Sequence, residues 1–418
     1  MSSKRYQITA TYHRLPDRTP LVLYSPSELT ERAHIAILAM HFGDYHAFPP
    51  MVEMAKRGFF SAGANPVSWG SRPWSWIQNY ASAVRFLKAL PGIEKVILMG
   101  HSEGGCRMSC YQYLAENGAS RFTNSDRIVP FPDAQSLPAA DGLMLLDANY
   151  GIMSVLALDP AVEDWKSGYS RNPELDLYNP ENGYSKDASH YTEDFIRRFQ
   201  KAQIKMYRDI LHYALERKTV IDQGKGAFAD DEPLLIAGSG GGSNNNKLFI
   251  QDPRLLSATK EAYPLLHADG TYTTEQIHTV RLPADSVHSE FYRRGAWTTT
   301  IMDVLQTELR FSDDFGYDAS SMWGIDEDFN PLSTRANVKG IHIPLLIQGN
   351  TASHEFVNAE MTFACAASSD KTIFFSEGSQ HDYTPLKKAE AFPGQFGDPL
   401  QTTADAFEHW LIRSGRFM

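Results

Sequence analysis

The chain has 418 residues, 42% of them hydrophobic and 21% charged, with a formal net charge of −11; that is enough for one large domain carrying an insertion. Nucleic-acid affinity depends on Lys and Arg neutralising phosphates, so this acidic balance, with no basic run, excludes a general polyanion binder. No apolar signal core opens the chain and no window reaches the ~18 uninterrupted apolar residues of a membrane span, so a soluble cytoplasmic protein is expected, with no nucleic-acid or membrane partner.

Two β-rich stretches come first, at residues 6–12 and 21–24, followed by a polar turn at 25–32. The run Ile35–Met40 is short, nearly continuous and bounded by polar residues, the pattern of a strand buried on both faces of a parallel sheet. The same pattern returns at 59–62, 95–99, 143–146, 343–347 and 372–375, and helical stretches at 51–57, 76–90 and 105–116 separate several of these runs. Strands alternating with helices predict an α/β fold with a doubly wound, mostly parallel sheet.

The alternation stops near residue 150 and resumes near 341. Residues 1–150 and 341–418 therefore read as two parts of one core, and residues 151–340 as an insertion of acidic turns, a long helix, a loop and more helix. In the long helix Phe195, Phe199, Ala202, Met206, Ile210 and Ala214 recur at spacings of three and four, giving one apolar face. The low-complexity stretch 238–247 predicts a mobile surface loop. An insertion at the carboxyl ends of the strands would lie over the ligand crevice there.

At 95–118 an apolar run turns into a helix through Gly100-His101-Ser102-Glu103-Gly104. A chance Gly-x-Ser-x-Gly is expected on the order of 0.1 times in such a chain, but between a strand and a helix it has the context of a nucleophile elbow. The tight turn leaves no space for side chains at the flanking glycines and forces the serine into a strained backbone with its Oγ exposed. The backbone N–H of Glu103, at the helix N-terminus, would face a developing oxyanion. A second donor is expected after the third strand, from Gly43 or its neighbour Phe42. His41, Asp44 and His46 in that loop match no strong zinc spacing.

A serine hydroxyl needs a base, and His381 follows the last strand on the side from which it can reach Ser102. The base in turn needs a carboxylate to fix its tautomer and stabilise the imidazolium. Asp147 ends the strand after the elbow helix, and Glu355 follows the strand after the insertion; both obey the order Ser, acid, His. Glu360 and Asp382 are weaker alternatives, and the choice stays open. Cys106, Cys110 and Cys365 are too few for a disulfide framework, and the first two read as small buried hydrophobes rather than metal ligands.

These residues resemble the α/β-hydrolase superfamily over 35–150 and 341–418. The insertion is similar to the mainly helical cap, or lid, that many members carry between the sixth and seventh strands. Members commonly show His-Gly after the third strand, where His41-Phe42-Gly43 here puts Phe in the first glycine position. Leu145-Leu146-Asp147 is similar to the strand-end acid of lipase-like members, whereas the segment from Gly349 to Glu355 lacks the Asp of the commoner arrangement. The elbow looks like that of esterases and lipases, and the resemblance implies no cofactor and no metal.

The expected activity is a serine hydrolase acting on a carboxylic ester or lactone of a bulky, mostly apolar small molecule, through an acyl-enzyme on Ser102. Trp69, Trp165 and Trp323 are candidates to line a pocket walled by the lid. An acyltransferase, amidase or C–C hydrolase would use the same residues, and a non-catalytic ligand-binding protein could use the same scaffold. The sequence leaves homo-oligomer formation open.

Overall fold

Each apolar run of the core folds as a strand whose side chains alternate between two packed layers. β1 (Ile8–Arg14) and β2 (Pro20–Pro26) pair antiparallel, and β3 (Ile35–Met40), α1 (Pro49–Lys56), β4 (Phe60–Ala64), α2 (Trp76–Lys88), β5 (Lys95–His101), α3 (Glu103–Asn117) and β6 (Gly142–Leu146) follow in alternation. The insertion contains α4 (Glu193–Asp222), β7 (Pro233–Ala237), β8 (Ala258–Leu266), β9 (Tyr272–His278), β10 (Ala296–Thr300), α5 (Ile301–Gln306), β11 (Phe311–Tyr317), β12 (Met322–Ile325) and α6 (Thr334–Val338). The chain returns through β13 (Leu345–Asn350), α7 (Phe356–Cys365), β14 (Lys371–Ser376) and α8 (Pro399–Leu411). This computed structural model describes residues 4–67, 74–123, 126–132, 136–149, 151, 155, 158–168, 170–185, 189–238, 258–282, 296–318, 322–353 and 355–418.

The main sheet has ten strands in the order β1-β2-β4-β3-β5-β6-β13-β14-β8-β9. From β4 to β8 the pairs are parallel, and only the two ends, β1-β2-β4 and β8-β9, run antiparallel. With helices on both faces this is the α/β-hydrolase fold. β3 shows the alternation: Ile35, Ile37 and Ala39 pack with Met51, Met54 and Phe407, while Ala36, Leu38 and Met40 pack with Val84, Leu87 and Met108. Burial on both faces explains why β3 reads as a continuous apolar run, and each fully buried Leu or Ile contributes about 1.5–3 kcal/mol. Cys106 and Cys110 are buried free thiols in the layer of Val84, Leu87 and Met108, as small hydrophobes would be.

The insertion has its own core. α4 directs Phe195, Phe199, Met206, Ile210 and Ala214 against Ile236, Val304, Leu305, Phe315 and Tyr317, and Ala202 is half-buried beside them. The insertion is less helical and less separate than its sequence suggests. β7 pairs with β10 and β11 with β12 in two small sheets, while β8 and β9 extend the main sheet beyond β14. The reason for the difference is compositional. β8 is joined to β14 only through Leu265 and Leu266, and Ile277 is the one buried residue of β9, so neither carries the apolar pattern that marks a central strand. Of the stretch 238–247 only Gly238 lies within the described residues, and Trp69 lies outside them.

β3, β5, β6, β13 and β14 all end on one edge of the sheet, so the loops beginning at His41, Ser102, Asp147, Thr351 and Glu377 gather there. Among the described residues no helix is long and apolar enough to cross a membrane.

Candidate active site

The turn after β5 is as tight as the glycine spacing requires. A Cβ on Gly100 would stand 2.8 Å from Gly105 Cα, and one on Gly104 would stand 2.7 Å from the Met40 carbonyl oxygen. Ser102 sits between them at φ 54° and ψ −132°, a conformation that costs a non-glycine residue of order 1–3 kcal/mol and persists only where its surroundings over-determine it. Backbone hydrogen bonds supply that constraint: Ser102 N–H donates to Leu146 O at 3.2 Å, and Ser102 O accepts from Gly105 N–H at 3.0 Å and Asn149 N–H at 3.1 Å. The bonds to Leu146 and Asn149 tie the elbow to the end of β6. Glu103 opens α3 and its carboxylate pairs with Arg107 at 2.6 Å.

Asp147, the residue after β6, is also held at positive φ, 44°, and is fully buried. Its N–H donates to Gln348 O at 2.7 Å, and its Oδ1 accepts from Asn350 N–H at 3.1 Å. Its other oxygen, Oδ2, accepts from His381 Nδ1 at 2.6 Å. A carboxylate oxygen at that distance fixes the proton of His381 on Nδ1 and leaves Nε2 as the basic nitrogen. Burial alone would lower the pKa of His381, but the Asp147 hydrogen bond and charge hold it above its ordinary value.

Glu355 stands at the N-cap position of α7, and Asn358 Nδ2 donates to its carboxyl. Burial raises its pKa to about 8 against the pull of His381, and the nearby Asp147 charge pushes the same way. At neutral pH it is a protonated acid beside the Asp147–His381 pair. Arg281, after β9, lies close enough to feel both carboxyls: burial lowers its pKa to about 10, and Asp147 and Glu355 oppose the fall. Of the weaker alternatives, Glu360 accepts from the backbone N–H groups of Lys260 and Glu261 in β8. Asp382 accepts from Thr384 N–H and Oγ1.

Three residues that sequence reasoning passed over stand beside His381: His101 packs on it directly, and Tyr45 and Tyr383 pack on His101. His101 Nε2 lies 2.9 Å from the carbonyl oxygen of His381, and its ring centroid is 4.3 Å from that of His381. A carbonyl only accepts, so Nε2 carries the proton and Nδ1 accepts from Tyr45 Oη at 2.5 Å. Tyr383, at φ 66°, donates from its hydroxyl to Gln348 Oε1 at 2.9 Å and packs edge-on against Phe48. His101, Asp147 and His381 are close enough together to suggest a metal site, yet Nε2 of His101 carries a proton and the lone pair of its Nδ1 is engaged by Tyr45. His101 lies inside the elbow motif and was visible there; Tyr45 and Tyr383 carry no local signal.

In the loop after β3, Gly43 N–H donates to His41 Nδ1 at 2.8 Å, so that N–H points into its own loop. The Phe42 ring is buried, with the Arg107 guanidinium carbon 3.5 Å from its centroid. His46 Nδ1 bonds Asp44 at 2.9 Å. From the insertion, α5 reaches this corner: Gln306 Oε1 accepts from Trp74 N–H at 3.0 Å, and Asp303 feels the charges of Arg107 and Glu103. Trp165 packs inside the insertion core and Trp323 is 45% exposed. The aromatic rings beside Arg107 are those of Phe42 and Trp76.

No protein-family model and no curated protein matches the sequence. Solved structures similar to the chain include DcsB in complex with its substrate analogue, 11% identical over 97% of this chain and 99% of that one, with a TM-score of 0.46. Others are Est1E from Butyrivibrio proteoclasticus (11% identity, 96% and 97% coverage, TM-score 0.39) and carboxyl esterase 2 from the mycorrhizal fungus Tuber melanosporum (11%, 98% and 89%, 0.38). The sheet order and the strand-end geometry, rather than these distant likenesses, carry the fold and the site.

Proposed function

We propose that the chain is a serine hydrolase cleaving a carboxylic ester or lactone through an acyl-enzyme on Ser102. The observation that carries this reading is the 2.6 Å bond from His381 Nδ1 to the buried Asp147, at the strand end next to a serine held at positive φ on its elbow. In the proposed reaction Ser102 Oγ attacks the carbonyl carbon while His381 Nε2 takes its proton, and Asp147 stabilises the imidazolium. The carbonyl π pair moves onto oxygen, which Glu103 N–H meets at the start of α3. Collapse of the tetrahedral intermediate expels the alkoxide with the proton from His381. Water activated by the same His381 then releases the acid and restores Ser102.

Glu355, neutral at pH 7, does not compete for the role of the charged acid. A bulky, mostly apolar substrate is the proposed class, supported by α5 of the insertion reaching the corner beside Arg107 and by the buried Phe42 and Trp76 rings that back that corner. The test is labelling by a fluorophosphonate probe in wild type, Ser102→Ala and His381→Ala, with turnover of p-nitrophenyl esters of increasing chain length. Labelling and turnover in wild type, absent from both variants, is the expected result. A folded wild type that neither labels nor turns over any ester would sink the proposal. Product analysis with an added alcohol or amine separates hydrolysis from acyl transfer.

A further inference from the structure

The loop after β3 holds a donor with nothing to donate to. The backbone N–H of Gly43 can only donate, so the 2.8 Å contact to His41 Nδ1 fixes Nδ1 as the acceptor with its lone pair. Burial lowers the His41 pKa to about 4, against the charge of Glu103 and helped by Arg107 and His381; the ring is neutral at pH 7. A neutral imidazole whose Nδ1 accepts must carry its proton on Nε2. That Nε2 is buried and has no hydrogen-bond partner among the described residues. A buried N–H left unpaired forfeits the hydrogen bond it would make in water.

The ring is also placed against the elbow. Its Cδ2 and Cβ lie 3.2 and 3.6 Å from where a Cβ on Gly104 would stand, so the Cβ–Cδ2 side of the residue borders the first turn of α3, with Nε2 the next ring atom beyond Cδ2. The opposite constraint comes from Tyr45, whose ring stacks on His41 with centroids 4.4 Å apart and an interplanar angle of 13°, while its hydroxyl is anchored on His101. The imidazole is thus clamped in one orientation before any substrate arrives, which is what an electrostatic donor needs.

We propose that His41 is a catalytic residue of the reaction inferred above, donating its Nε2–H to the oxyanion that forms when Ser102 attacks the carbonyl. Of the two loop amides expected to serve, Gly43 N–H is engaged in holding His41, and the side chain supplies a donor in its place. No proton is transferred: His381 takes the proton from Ser102 Oγ, and His41 supplies a hydrogen bond that strengthens as negative charge develops on the carbonyl oxygen. Glu103 N–H is the second donor.

The role rests on the proposed serine chemistry, and the experiment separates the two. In His41→Ala, kcat should fall about 10²–10³-fold, the usual effect of removing one such donor, with KM within about threefold. Affinity for a trifluoromethyl ketone, whose serine adduct places an oxyanion in the same position, should fall by the same factor. A positioning role would lower kcat without that loss of ketone affinity, and either this result or unchanged turnover in a folded variant overturns the proposal. Nitrogen NMR of wild type tests it without a variant: His41 should show the Nε2–H tautomer, and an Nδ1–H tautomer overturns it. A wild type inert to probe and ester removes the reaction itself and this role with it.

Discussion

At the strand ends Ser102, Asp147 and Tyr383 are all held at positive φ, and Glu355 is buried with its pKa raised to about 8. In the insertion α4 breaks no local rule. Thr192 caps it by accepting from Phe195 N–H at 3.2 Å, its outer face pairs Lys205 with Asp209 and Lys218 with Asp222 four residues apart, and its inner face is an apolar stripe. The two regions divide the work. Among the described residues, three of the five non-glycine positions at positive φ lie where the proposed chemistry is, and in α4 propensity, capping and pattern agree. Substitutions at the strand ends should therefore change rate far more than stability, and substitutions under α4 should do the reverse.

The largest effect expected is from Ser102→Ala. Loss of the nucleophile in a serine hydrolase costs on the order of 10⁶ in kcat, and the melting temperature should stay within about 2 °C, since alanine keeps the Cβ and the backbone hydrogen bonds of the elbow. A variant that keeps its ester turnover, or one that unfolds, would erase the division. Next come the two carboxyls, which share a site but not a role. Asp147→Asn removes the charged acceptor of His381 Nδ1 and should lower kcat about 10⁴-fold. Glu355→Gln exchanges one neutral hydrogen-bonding group for another and should change kcat by less than about threefold. Comparable losses from both would mean that the pair acts as one unit.

Under α4 the expected effect is on folding. Phe199 is 1% exposed in the insertion core, and Phe199→Ala should cost about 3–5 kcal/mol, read from the denaturant midpoint. Turnover per folded molecule should hold within a few-fold, because the residue belongs to the insertion core and not to the strand ends. A collapse of kcat in the folded fraction would show that this core also shapes the site.

The same contrast decided what could be read from the sequence. β3, β5, β6, β13 and β14 were legible because both faces are buried and the apolar run is continuous; the elbow was legible because only glycine fits beside Ser102. α4 announced itself through its spacing. β8 and β9 did not, since an edge pair with polar residues on most positions gives no periodic signal. Asp147 and Glu355 could not be separated in sequence because both follow parallel strands in the correct order. What separates them is hydrogen-bond geometry: Asp147 meets His381 Nδ1 at 2.6 Å, while Glu355 turns to Asn358. The clamp of Tyr45 on His101 and His41 joins residues whose proximity exists only after β3 and β5 pair.

The smallest effects expected are in pH dependence, and they give the finest test of the two-carboxyl assignment. His381 is raised above 6.5, so the acid limb of kcat/KM, which follows its free base, should have its midpoint above 6.5. Glu355 acts on stability in the opposite sense to a salt-bridged acid. It holds its proton in the fold up to about pH 8 and loses it near 4.5 when unfolded, so between those values the native state binds more protons and stability falls as pH rises. Glu355→Gln removes the titrating group, and the denaturant midpoint of that variant should lose this downward slope between pH 5 and pH 8 while kcat keeps its acid limb. Identical pH–stability curves for wild type and Glu355→Gln would mean that Glu355 is ionised in the fold. Two charged carboxylates would then face His381, and the weak effect expected of Glu355→Gln on kcat would have to grow.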